Sequence, residues 1–185
     1  VYDTSVTEAP QYNGFWNQEI KINGFPVKMG KYNGENYRYI VLQKALLIPT
    51  KTGKLTIDSM KMDIVIGVPT GRADFFGNVI TKNIKKEFAS VKKVVRPKRL
   101  PLENKPENFT GAVGAFKFDV SLSKNALKAN ESSQIKLVVS GKGNLKLFEL
   151  PDIETPAELE KYQPERKERI RVARDGITGS VTDTY

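Results

Sequence analysis

Between residues 116 and 122 every second residue is apolar: Phe116, Phe118, Val120 and Leu122 alternate with Lys117, Asp119 and Ser121. The same period of two recurs in Met60, Met62, Ile64, Ile66 and Val68, set against Lys61, Asp63 and Val65, and again in Ile135, Leu137 and Val139. Successive side chains of a strand point to opposite faces, so this spacing predicts strands with one face toward a core. A slip of one residue would carry every apolar side chain into water, which fixes the register. No helical period of comparable strength is present, apart from a turn or two expected within 78–88.

Turn chemistry falls between these runs. Asn13-Gly14, Asn23-Gly24, Asn33-Gly34, Thr52-Gly53 and Asp175-Gly176 supply residues that tolerate the positive φ of tight hairpin turns. The spacing predicts an all-β chain. Around PKRLPLENKPENFTGAV alternation stops, and prolines stand at 97, 101 and 106. Proline withholds a ladder donor and stiffens the backbone, so an extended linker is expected at 101–111. It divides two tandem immunoglobulin-like antiparallel β-sandwich domains, 1–100 and 112–185. Both are expected to be incomplete at the termini, because Val1 and Tyr2 at one end and 180–185 at the other lie in strand-like text.

Residues 69–86, PTGRADFFGNVITKNIKK, exceed the length of a tight turn and are expected to form a loop insertion. Phe75 and Phe76, followed by Gly77, either tuck under it as a small local core or present an apolar patch to a partner. The segment QYNGFWNQE gathers Tyr12, Phe15 and Trp16, the only tryptophan. Trp16 either plugs a sandwich core, or the three rings together stack on sugar, which would make this a carbohydrate-binding module.

Composition narrows the chemistry. The 185 residues are 39% hydrophobic and 28% charged, the balance of a folded chain. There is no cysteine and no histidine, which removes thiolate nucleophiles, Cys/His zinc sites and imidazole bases. Paired acids such as Asp152 with Glu154, and Glu158 with Glu160, lie among lysines and arginines that should keep them ionised, whereas a glycosidase needs one raised carboxyl. No phosphate-loop or calcium-loop spacing is found, and DFFG at 74–77 lacks the companion motifs of a kinase. No catalytic residue, cofactor site or metal site is expected.

The net charge is +9. Lys85, Lys86, Lys92, Lys93, Arg96, Lys98 and Arg99, with Arg166, Lys167, Arg169, Arg171 and Arg174, are interspersed with apolar and acidic residues, as on solvated strand faces. Aromatic rings suited to stacking on single-stranded bases are missing beside them, so no nucleic-acid partner is expected. Asn108-Phe109-Thr110 and Asn130-Glu131-Ser132 have the acceptor pattern for N-glycosylation and are assigned to turns. No run approaches the ~20 apolar residues of a membrane-spanning helix, and VYDTSVTEAP has no export-signal order, so any anchor or signal is expected to lie elsewhere in a longer protein.

The run PENFTGAVGAFKFDVSLSKNALKANESSQIKLVVSGKGNLKLFELP resembles the BatD family (Bacteroides aerotolerance D, oxygen tolerance). The likeness lies in a proline-rich lead, a G-x-V-G-x-F-x-F strand, an L-K-A-N-E turn and a G-x-G-N-L-K strand entry. Upstream, PQYNGFWNQEI, NYRYIVLQKALLIPTKTGKLTID and the DFFG loop are similar to the preceding module of that family. The resemblance implies a membrane-anchored bacterial envelope protein with its immunoglobulin-like domains in the periplasm. It further implies partners bearing von Willebrand factor A domains and tetratricopeptide repeats, and a part in oxygen tolerance and oxidative-stress resistance. It transfers no catalytic residue; Phe75, Phe76 and Gly77 match a loop of that family. Non-enzymatic partner binding is therefore expected, through this loop or by strand addition at sheet edges.

Overall fold

The computed structural model describes residues 3–185, so the expectation for Val1 and Tyr2 lies outside the described residues. Every regular element in that span is a β-strand. In chain order these are β1 (Asp3–Glu8), β2 (Phe15–Glu19), β3 (Lys28–Tyr32), β4 (Glu35–Tyr39), β5 (Ala45–Pro49), β6 (Leu55–Ile57) and β7 (Lys61–Ala73). There follow β8 (Val79–Ala89), β9 (Lys93–Val95), β10 (Gly114–Leu122), β11 (Ile135–Gly143), β12 (Glu165–Ala173) and β13 (Gly176–Thr184). The fold is all-β and built from antiparallel sheets, as the alternation predicted.

The strands fall into a three-stranded sheet β1-β7-β8, a four-stranded sheet β10-β11-β13-β12, and the two-stranded ribbons β2-β5, β3-β4 and β6-β9. The chain divides into two compact units. One holds the residues up to Asn17 together with Leu47–Leu100; the other holds Gln18–Leu46 and Pro101–Tyr185. The chain passes from the first unit to the second after Leu100, and residues 96–113 contain no strand. The segment Gln18–Leu46, expected with the N-terminal half, groups with the C-terminal half.

In the first unit β7 is the organising strand. Met62 lies opposite both Val6 of β1 and Phe88 of β8, and Ile66 lies opposite Ile84. Two corrections belong here. Residues 69–86 are no irregular loop: Pro69 still pairs with Thr81 and Ala73 with Val79, so two long strands continue to a short tip. The turn of helix expected within 78–88 is instead β8, where Ile80, Ile84 and Phe88 interrupt a polar strand and helical spacing is coincidental. The register shifts between Pro69 and Ala73, a bulge where Gly71 takes φ 75° and the Thr70 hydroxyl donates to the Ile80 carbonyl at 2.9 Å. Burial in this unit is thin; its one buried apolar side chain among the described residues is Leu55.

The second unit holds the main core. In register, Phe118, Val139 and Val181 form one row across β10, β11 and β13, with Val120, Leu137 and Asp183 in the next. Leu137, Val139, Ile177 and Val181 are buried. The segment following β11 supplies the lid over this face: Leu145, Phe148 and Leu150 are buried as well, and the Phe148 ring lies 5.3 Å from that of Phe116. Asn144 ties the lid down. Its Oδ1 accepts from the Val113 amide at 2.7 Å and its Nδ2 donates to the Gly111 carbonyl at 2.7 Å.

Turn residues act largely as expected. Asn33 and Gly34, at φ 49° and 86°, are the two central residues of the β3–β4 hairpin, the pair of positive φ values that a type I′ turn requires. At the β12–β13 hairpin Ala173 pairs with Gly176, so the turn residues are Arg174 and Asp175 and the glycine opens β13 instead. Asn108 and Asn130 both lie in turns, as assigned.

Candidate functional site

The β7–β8 hairpin ends in Asp74-Phe75-Phe76-Gly77-Asn78. Asp74 builds this tip. Its Oδ1 accepts the amides of Phe76 at 2.9 Å and Asn78 at 2.8 Å, and its Oδ2 accepts the Asn78 side-chain amide at 3.0 Å. Main-chain bonds from Asp74 N to Asn78 O (2.9 Å) and from Gly77 N to Asp74 O (3.0 Å) close the loop. Gly77 sits at φ 81°, where a side chain would be strained. The hydrogen bond from the Asn78 side chain, with the Asn78 and Phe76 amides, holds the Asp74 carboxyl below the usual carboxylate range. An ionised Asp74 thus accepts three hydrogen bonds and fixes the tip.

Phe75 is 98% exposed and Phe76 85%. Their rings meet edge to face, 5.6 Å apart. Of the two expectations for this segment, the small local core is overturned and the exposed apolar patch is what the structure places here. The physical reason is the hairpin itself. A tip carried by paired strands leaves nothing beneath it for two phenylalanines to fill.

Tyr12, Phe15 and Trp16 lie at the entry to β2 and are half-buried. The Tyr12 carbonyl accepts the Phe15 amide at 3.0 Å, closing the Asn13-Gly14 turn. Phe15 and Trp16 are consecutive strand residues, so their rings leave opposite faces of β2. The three rings therefore form no single flat platform for a sugar.

The basic residues divide by strand face. Lys85 pairs with Asp63 at 2.6 Å and Lys92 with Asp58 at 3.1 Å. Lys167 and Arg169 line an open hollow on the polar face of the four-stranded sheet, with Lys136, Ser121, Thr182 and Glu165. Arg166 departs from the expected solvated role. It turns to the core side, where Asp183 is only 6% exposed, with Nη1 3.7 Å from Asp183 Oδ2 and Nη2 donating to the Phe148 carbonyl at 3.5 Å. Asp183 Oδ1 is buried with no hydrogen-bond partner. Its own alternation could have revealed this pair, since Asp183 continues the apolar series Ile177, Gly179, Val181 on β13.

Among the acids, Asp152 receives Lys161 Nζ at 2.8 and 3.0 Å and the Tyr185 hydroxyl at 3.2 Å. Lys161 above all holds this carboxyl below its ordinary range. That is the opposite of what a general acid needs. Among the described residues no cluster of three or more acidic side chains could hold a metal ion, and no helix is long and apolar enough to cross a membrane.

Comparison of the chain with protein-family models, with curated proteins and with solved structures gives no match. The fold and the site define an antiparallel all-β protein with a projecting, hydrogen-bond-fixed aromatic hairpin tip.

Proposed function

We propose that this chain is a non-enzymatic interaction scaffold whose β7–β8 tip docks Phe75 and Phe76 into a partner protein. The reading extends to immunoglobulin-like modules of a BatD-type envelope protein, held on the periplasmic side by an anchor elsewhere in its parent. Its partners would carry von Willebrand factor A domains and tetratricopeptide repeats, and the assembly would serve oxygen tolerance. The observation that carries the docking role is the near-complete exposure of two adjacent phenylalanines on a tip that Asp74 has already ordered. A pre-ordered tip loses little conformational entropy on binding, and a buried aromatic pair is the usual centre of an interface. The envelope setting and the partner classes rest on the sequence resemblance.

The test is co-purification from bacterial membranes. Tagged parent protein should retain proteins of the two partner classes, and Phe75→Ser with Phe76→Ser should release them while leaving the fold intact. Retention unchanged by the double substitution would remove the tip from the account.

A further inference from the structure

Each of the two larger sheets ends in edge strands whose backbone groups are open to pairing: β1 and β8 in one, β10 and β12 in the other. Proteins usually blunt such edges with charge. Charge alone does not rank these edges, because a strand with opposite charges two residues apart has an antiparallel register that sets each against the other in a second copy. In β12 an axis at Lys167 sets Arg166 against Glu168, and in β8 an axis at Lys86 sets Lys85 against Glu87, whereas matched ends of β1 set Asp3 against Glu8. Like charges directly opposite destabilise strand pairing.

β10 differs in its core-side face, where Phe116, Phe118, Val120 and Leu122 follow one another with no charge between them. With an antiparallel twofold axis at Phe118, Lys117 falls opposite Asp119 of the second copy and Asp119 opposite its Lys117, while Phe116 meets Val120. Within one chain, Lys117 and Asp119 already form an ion pair at 3.0 Å on one face of the strand. Pairing two copies would turn that couple into a closed square of four alternating charges. On the other face Phe118, Val120 and Leu122 are each half exposed, although they continue the rows of the buried Val139 and Leu137. A second copy would extend this apolar face from four strands to eight and cover its open end.

The geometry points to β10 as a self-recognition edge: two copies of the chain join antiparallel about Phe118 into one continuous eight-stranded sheet. This is a closed, isologous contact, so it stops at a dimer. It uses a surface other than the hairpin tip and stands independently of the docking proposal.

Sedimentation of the full chain from low micromolar to several hundred micromolar is expected to show a monomer–dimer equilibrium. Lys117→Asp alone, and Asp119→Lys alone, place like charges opposite one another twice per dimer and should each weaken association by roughly tenfold or more. The double exchange, Lys117→Asp with Asp119→Lys, restores the alternation and should restore the dimer. Since the chain has no cysteine, register can be read separately. Phe118→Cys places two thiols directly opposite, with Cα atoms about 4.5–5.5 Å apart, and should oxidise rapidly to a disulfide-linked dimer, whereas Val120→Cys should not. A monomer at every concentration, a double exchange no better than either single one, or equal cross-linking at 118 and 120 would overturn the proposal.

Discussion

Asp183 and Asp74 show how differently one carboxylate can be used. Asp183 sits in the apolar row beside Leu137, where a charge is tolerated only with a partner, and Arg166 from the neighbouring strand supplies it. Removing the guanidinium in Arg166→Met should leave the carboxylate uncompensated and cost roughly 1–3 kcal/mol in urea unfolding, reduced from a fully buried pair because Arg166 is about one-third exposed. Replacing both, Arg166→Met with Asp183→Leu, should recover most of that loss. Asp74 instead is exposed and organises backbone. Its folded-state pKa lies below the unfolded one, so its contribution is complete above the usual carboxylate range and is lost as pH falls through the folded value. Amide exchange at Phe76 and Asn78, corrected for intrinsic rate, should therefore accelerate on acidification. In Asp74→Ala it should be fast at every pH.

Strand position sets the order of stability among elements. β11 and β13 are the inner strands of the four-stranded sheet and carry Leu137, Val139, Ile177 and Val181 on its covered face. Hydrogen exchange should find their amides the slowest in the chain, with the edge strands β10 and β12 and the whole β7–β8 hairpin opening more readily. Equal protection across β8 and β13 would contradict this ordering. Much of the pattern was legible beforehand. The alternations at 60–68, 116–122 and 135–139 fall within or beside β7, β10 and β11, and Asn33-Gly34 marked a true hairpin, because period two and positive φ are local properties. The 69–86 segment was misread for a physical reason: Thr81, Lys82, Asn83, Lys85 and Lys86 make β8 polar on both faces, and an exposed hairpin has no burial to impose alternation. The aromatic pair could be found in sequence, but its exposure depends on strand pairing that the sequence does not spell out.

Across the whole chain, surface is the dominant quantity. The accessible area is 14780 Å². Two independent compact domains of half this size would together expose only about 11,000 Å². The excess includes Phe118, Val120 and Leu122 along β10 as well as Phe75 and Phe76. These exposed apolar side chains are area available for holding other molecules, as the proposed docking role requires. Direct titration of the purified chain against a von Willebrand factor A domain of a protein retained in the proposed co-purification tests this account most directly. Saturable binding that weakens about 100-fold or more in Phe75→Ser/Phe76→Ser is the predicted result, since burying two phenylalanines contributes ~1.5–3 kcal/mol each. Binding of equal strength in wild type and double variant, or none by either, would contradict it.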